Sequence, residues 1–146
     1  MNRRGHGWIW LLVGVLLFIW GNSLLSAETS GSMSGWLHDA LKAILPEGMV
    51  SGGDRLLRKL AHFTEFALLG AVLLRLLHGK VETLPGAWLL SLGCGCAAAC
   101  LDELLQHFSP GRAPRFGDVC IDAAGVLTGT ALYLAICFIR KSKTIK

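Results

Sequence analysis

The chain has 146 residues, of which 53% are apolar and 16% charged, with a formal net charge of +4. This is the length of one domain, and so apolar a composition excludes an ordinary soluble domain, which needs more polar surface. The positive charge lies mostly at the two chain ends, and no groove of basic and aromatic residues interrupts the apolar runs, which excludes a nucleic-acid-binding module.

The first apolar run extends from about Trp8 to Leu25 and follows Arg3 and Arg4. A charged start before an apolar centre is also typical of a secretory signal peptide. We favour a retained membrane span, because the run is longer than a signal core. In addition, Leu25 stands where a cleavage site after Ala27 would need a small residue.

The next stretch, residues 26–53, contains apolar residues at helical spacing between Trp36 and Leu45. This pattern predicts a short amphipathic helix in the first outer loop. Such a helix can lie in the membrane interface or pack as a lid over the bundle, and the sequence favours neither arrangement.

Three further apolar runs follow, at about residues 60–77, 85–106 and 117–139. Each has about the 20 residues that a helix needs to cross the hydrocarbon core of a bilayer. Pro110, Gly111 and Pro114 prevent a continuous helix between the last two runs. With the run at residues 8–25, the sequence predicts an all-α fold, a membrane four-helix bundle. The five cysteines lie in apolar runs without a C-x-x-C pair, so we expect buried free thiols.

Basic residues flank the predicted bundle at both chain ends. An even number of spans allows both ends to lie on one side, and the positive-inside rule makes that side the cytoplasm. Basic residues also occur on the opposite side, but we discount them as topology signals because several belong to the polar set described next. Both termini are therefore predicted to be cytoplasmic.

Polar and ionisable residues stand at the ends of three predicted spans, where a charged group is costly unless it is paired or faces a polar cavity. They are Arg58, Lys59, His62 and Glu65 in the second span, Asp102, Glu103 and Gln106 in the third, and Asp118 and Asp122 in the fourth, with Arg112 in the linker. Because these span ends lie at one membrane depth, the sequence predicts a single polar pocket on the extracytoplasmic side.

Asp118, Asp122, Gly125 and Gly129 share one face of the fourth span. The two glycines form a G-x-x-x-G surface for helix packing. We therefore expect the aspartates that continue this stripe to point into the bundle. The small residues at 93–99 of the third span are the predicted partner of the glycines.

Three hypotheses explain the polar pocket. An ion-pair network would only lock the bundle, whereas a binding site would hold a phosphate or pyrophosphate head group with its arginines, oriented by the carboxylates. Arg112 separates these two hypotheses, because it either locks onto an internal carboxylate or clamps an incoming phosphate, and we favour the clamp. The third hypothesis is a divalent metal held by carboxylates with His62 and His107. No H-E-x-x-H or comparable motif occurs, so the sequence assigns no metal, no cofactor and no catalytic residue.

Two segments, RKLAHFTEFALLG and LDELLQHFSPGRAPRFGDVCIDAAGVLTG, together resemble the signature of the VanZ-like membrane protein family. The resemblance covers residues 57–132 closely and extends loosely to the first span and its terminal Asn22-Ser23 pair. It implies a small multi-span protein of the cell envelope, in a family named after a protein that confers teicoplanin resistance. The signature positions are Lys59, His62, Glu65, Asp102, Glu103, Gln106, Arg112, Asp118, Asp122 and Gly125.

We therefore predict one VanZ-like membrane domain over residues 1–146, in the bacterial inner membrane. Its expected partner is a membrane lipid or a lipid-linked envelope precursor. The pocket would bind or modify this anionic component, with a link to teicoplanin tolerance. The alternative is a non-enzymatic structural or regulatory membrane subunit whose buried charges serve assembly.

Overall fold

The computed structural model describes residues 3–24, 53–110 and 115–144. They form four α-helices: α1 (Arg3–Leu24), α2 (Gly53–Leu77), α3 (Leu84–His107) and α4 (Phe116–Thr144). No strand occurs among these residues, and every one of the four helices is long and apolar enough to cross a membrane, so the predicted all-α bundle is confirmed. The amphipathic helix predicted between Trp36 and Leu45 lies outside the described residues.

The helices extend past the apolar runs that predicted them. α2 begins at Gly53 rather than near residue 60, and α4 continues to Thr144 rather than ending near residue 139. The predicted limits marked where hydropathy falls. The helices continue through the mostly basic residues beyond those limits, because lysine and arginine are good helix formers.

A tight turn joins α2 to α3. Gly79 adopts a φ of 90°, in the left-handed region that glycine enters without strain. Thr83 then caps α3, because its side-chain oxygen accepts a hydrogen bond from the backbone N–H of Gly86 over 3.2 Å. Pro85 occupies the first turn, where its missing N–H is not needed.

Consecutive helices run in opposite directions, so each end of the bundle gathers four helix ends. At one end, the guanidinium carbon of Arg75 lies 5.3 Å from the ring centroid of Trp8. His78 and Tyr133 form a hydrogen bond of 3.0 Å near the same end. The other end, formed by residues 24, 53, 107 and 116, is termed the polar end.

The apolar core lies below the polar end and receives side chains from all four helices. Its buried members are Val15, Ile19, Phe66, Leu69, Ala98, Ala99 and Val126. The contact between α2 and α4 is the most extensive, while α1 packs against α2 and α3.

The glycines of α4 explain the close approach of α4 to α2. A Cβ on Gly125 would lie 2.5 Å from the carbonyl oxygen of Phe63, and a Cβ on Gly129 would overlap the carbonyl of Ala67. The prediction that these glycines pack on the small-residue face of α3 is therefore wrong. Gly95 of α3 packs instead on the side chain of Val126, a residue on a different face of α4.

Large apolar side chains cover the outside of the bundle. Trp10 is 72% exposed and Phe138 is 76% exposed. Soluble proteins rarely expose so much contiguous apolar surface, whereas a lipid bilayer solvates it. Together with the four span-length helices, this surface makes the chain a multi-pass integral membrane protein. Cys94, Cys100 and Cys120 lie on this exposed surface, so the prediction of buried thiols is wrong for these three.

Candidate functional site

Polar side chains from all four helices meet inside the polar end of the bundle. Each helix contributes residues from the turns that lie between the apolar core and the polar end. The set is termed the polar cluster and consists of Asn22, Ser23, Lys59, His62, Glu65, Asp102, Glu103, Gln106, Asp118 and Asp122.

Asp102 lies at the centre of the polar cluster and is fully buried. Its Oδ1 accepts a hydrogen bond from Ser23 Oγ over 2.6 Å, and its Oδ2 accepts one from Gln106 Nε2 over 2.9 Å. Gln106 can reach it because residues four apart share a helix face. Hydrogen bonds to a carboxylate are strong, so these two fix the orientation of Asp102 and offset part of its desolvation.

Asp122 and His62 complete the centre. Asp122 is 1% exposed, as buried as the core residues of its own helix. Nδ1 of His62 lies 3.7 Å from Oδ2 of Asp102 and 3.8 Å from Oδ1 of Asp122. Helices α2, α3 and α4 thus each direct one ionisable side chain to the same point.

Two more carboxylates connect the cluster to neighbouring elements. Glu65 Oε1 accepts a hydrogen bond from Asn22 Nδ2 over 3.2 Å, which joins α2 to the end of α1. Glu103 Oε2 accepts one from the backbone N–H of Arg115 over 2.8 Å, just before α4 begins. Ser109 Oγ donates to the carbonyl of residue 23 over 2.7 Å. The end of α1 is therefore held by both α2 and the segment that follows α3.

Basic side chains lie at the outer rim of the cluster. Lys59 Nζ is 3.6 Å from Asp118 Oδ1, and both side chains are partly exposed. Such a pair contributes at most about 1 kcal/mol. Nε of Arg58 is buried and forms no hydrogen bond to any described residue. Asp118 thus lies at the rim rather than beside Asp102, because it is one turn nearer the open end of the bundle than Asp122.

Most of the predicted pocket residues can be placed. Arg112 lies outside the described residues, and the other nine all lie at the polar end. Asn22, Ser23 and Ser109 were not among the predicted pocket residues. The signal for the first two is a polar pair at the end of an otherwise apolar span, where unpaired polar groups are costly.

Charge is distributed unevenly over the cluster. Its inner part holds four acids, Glu65, Asp102, Glu103 and Asp122, with His62. Lys59 lies nearer the surface, and Arg58, its neighbour in α2, is half-buried. Because like charges repel more strongly away from water, the inner part favours cations and hydrogen-bond donors, whereas the rim favours anions. The site can therefore hold a ligand that carries both a phosphate and donor groups.

An apolar cavity of about 260 Å³, open to the outer surface of the bundle at Cys94, Ala97 and Leu101, lies between α1, α2 and α3 next to the polar cluster. Its lining consists of Leu12, Leu16, Trp20, Leu69, Leu73, Cys94, Ala97, Ala98 and Leu101. Trp20, Leu69 and Leu101 each stand within four residues of a cluster member on the same helix. A single elongated molecule can therefore contact the cavity and the cluster together.

The fold and the site define a multi-pass membrane protein that buries a polar cluster at one end of a four-helix bundle. The family model described as VanZ/LLP1 matches residues 8–139, which include all four helix centres and the whole polar cluster. The chain therefore belongs to the VanZ/LLP1 family, and the resemblance seen in the sequence is confirmed. No curated protein and no solved structure matches the chain.

Proposed function

We propose that the protein binds an anionic, lipid-linked component of the cell envelope, with the head group in the polar cluster and the hydrocarbon chain in the apolar cavity. The observation that carries this proposal is the position of the cavity beside the cluster, on three of the four helices that form the cluster. A soluble anion would need only the cluster. A lipid-linked ligand uses both.

The rim and the inner cluster would divide the recognition of the head group. Arg58 and Lys59 lie at the rim, where they would contact a phosphate, and arginine can do so with two parallel hydrogen bonds. Oε2 of Glu65 is buried and has no hydrogen-bond partner among the described residues. It would accept a hydrogen bond from a hydroxyl or amine of the same head group. Buried polar atoms are rarely left without a partner, so this atom favours a ligand.

The proposed location is the bacterial inner membrane, with both termini in the cytoplasm and the polar end at the extracytoplasmic surface. The basic residues at both chain ends support this orientation. Lipid-linked envelope components are used on that outer side. Through the family likeness, we further propose that the binding contributes to teicoplanin tolerance of the cell.

Binding of a polyprenyl phosphate to delipidated protein tests this function. We expect wild-type protein to bind the lipid in a one-to-one complex by native mass spectrometry. Lys59→Gln should weaken binding severalfold, because it removes a rim charge that phosphate would contact. Lys80→Gln, a matched change in the turn at the opposite end of the bundle, should not alter binding. Equal binding by both variants and the wild type would contradict the proposed site.

A second candidate function is a structural or regulatory subunit, and the interhelical hydrogen bonds favour it. Ser23 to Asp102 and Asn22 to Glu65 connect α1 to its neighbours, as an assembly role requires. Cellular accumulation of Glu65→Gln separates the two functions. Glutamine keeps an acceptor for the hydrogen bond from Asn22 but removes the charge. If the buried charge serves assembly, this variant should fail to accumulate, whereas a binding role predicts normal accumulation with loss of the bound lipid.

A further inference from the structure

One nitrogen atom and two carboxylate oxygens converge at the centre of the polar cluster, each from a different helix. They belong to His62 on α2, Asp102 on α3 and Asp122 on α4. The three atoms all lie within 4.8 Å of one another. Imidazole nitrogen and carboxylate oxygen are common protein ligands of divalent transition metals.

The spacing of these atoms suits a shared cation better than direct hydrogen bonds. Nδ1 of His62 is 3.7 Å from Asp102 and 3.8 Å from Asp122, beyond the roughly 3.2 Å that N–H···O hydrogen bonds usually reach. Two ligands of a tetrahedral zinc ion, each about 2.1 Å from the metal, are about 3.4 Å apart. Small side-chain rotations would bring the three atoms to that separation.

Asp122 gives an independent indication of a ligand. Its side chain is 1% exposed, and neither carboxylate oxygen has a hydrogen-bond partner among the described residues. Burying a carboxylate without hydrogen bonds or a close counter-charge costs several kcal/mol. A cation bound between Asp122 and its two neighbours would offset that cost directly.

Asp102 accepts hydrogen bonds of the kind that orient metal-binding carboxylates in proteins. Ser23 donates to Oδ1, which leaves the carboxylate held with Oδ2 toward His62. Gln106 donates to Oδ2 from the side. Metal-binding carboxylates are usually oriented by such outer hydrogen bonds, and loss of these bonds weakens metal affinity.

The acidic side chains of the inner cluster also favour the binding of a cation. Glu65, Asp102, Glu103 and Asp122 are buried or half-buried. Lys59 pairs with Asp118 at the rim, and the buried Nε of Arg58 forms no hydrogen bond to any described residue. A divalent ion would offset negative charge among these carboxylates. It would also allow the anionic head group of a lipid to approach carboxylates that would otherwise repel it.

We propose that His62 Nδ1, Asp102 and Asp122 bind one divalent transition-metal cation, Zn²⁺ or Mn²⁺, at the centre of the polar cluster. The His62 side chain is 15% exposed, which leaves the ion a path from the polar end. Three protein ligands leave at least one coordination position for water or a phosphate oxygen. This inference does not rest on the proposed lipid binding, because the metal is bound by protein side chains alone.

Metal content of the purified, delipidated protein tests this inference. The protein is purified in detergent through a tag without histidines, stripped with chelator, and dialysed against ZnCl₂ or MnCl₂. We expect one equivalent per chain by plasma mass spectrometry, together with a rise in melting temperature that chelator reverses. Less than half an equivalent of both metals would overturn the proposal.

Two variants and one control localise the ion. Asp122→Asn keeps the shape of the side chain, and His62→Gln provides a second test if the first variant misfolds. Both should lose the bound metal and the chelator-sensitive rise in melting temperature. His107→Gln removes an exposed histidine at the end of α3 and should keep both. Metal that persists in Asp122→Asn and His62→Gln, for example on the free cysteines, would also overturn the proposal.

Discussion

Ser23 at the end of α1 donates a hydrogen bond of 2.6 Å to Asp102 on α3, and both side chains are fully buried. The two residues are far apart in the sequence, and their contact attaches α1 to the centre of the polar cluster. The first apolar run therefore packs as one of the four helices of the bundle.

Ser23→Ala should destabilise the protein by about 1–2 kcal/mol, because Asp102 would lose a buried donor. Thermal unfolding of purified protein in detergent measures this change. Ser91→Ala is the matched control, since Ser91 is also fully buried but donates to the carbonyl of Ala87 in its own helix. An equal fall in melting temperature for both variants would contradict the special role of the Ser23 contact.

Gly129→Ala should destabilise the bundle by about 1–3 kcal/mol or prevent accumulation, because the added methyl group overlaps the carbonyl of Ala67. Gly93→Ala on α3 is the control, since its added methyl group meets nothing within 4 Å. We expect Gly93→Ala to be neutral or slightly stabilising, because alanine is the better helix former. Melting temperature and yield measure both effects. Normal stability of Gly129→Ala would show that α2 and α4 do not approach as closely as described.

The sequence was sufficient to predict the four helices and most members of the cluster. Hydropathy predicts spans, and ionisable residues within spans must face the protein interior. The packing partner of Gly125 and Gly129 could not be predicted, because small residues occur on both α2 and α3 and nothing local distinguishes them. The sequence predicted one pocket that contains His62, Asp102 and Asp122, but it could not single out these three as the residues whose polar atoms converge, because each lies on a separate helix.

Filling the apolar cavity should reduce lipid binding without changing the polar cluster. Ala97 lines the cavity, so Ala97→Phe would occupy space that we assign to the hydrocarbon chain. Ala131→Phe adds the same group to an exposed position on α4, outside the cavity lining. Native mass spectrometry should show less retained polyprenyl phosphate for the first variant and an unchanged amount for the second. Equal retention of the lipid by the two variants would show that its hydrocarbon chain does not occupy this cavity.

The orientation of the bundle can be measured with reporter fusions. Fusions after Lys80 and after Lys146 should both report the cytoplasm, because basic residues concentrate on that side of the spans. A fusion after Ser109, at the polar end, should report the extracytoplasmic side. The reverse pattern would place the polar cluster at the cytoplasmic surface and contradict the proposed access to outer-leaflet lipids.

The most direct test of the central claim, that the polar cluster binds a lipid head group, is native mass spectrometry of wild-type protein and Glu65→Gln purified directly from membranes. Glutamine keeps an oxygen for the hydrogen bond from Asn22 but removes the buried carboxylate. We predict that wild-type protein retains one phosphate-bearing lipid per chain, and that Glu65→Gln accumulates and melts normally but loses that lipid. Equal lipid retention by a stable Glu65→Gln would contradict the account, as would wild-type protein that carries no lipid.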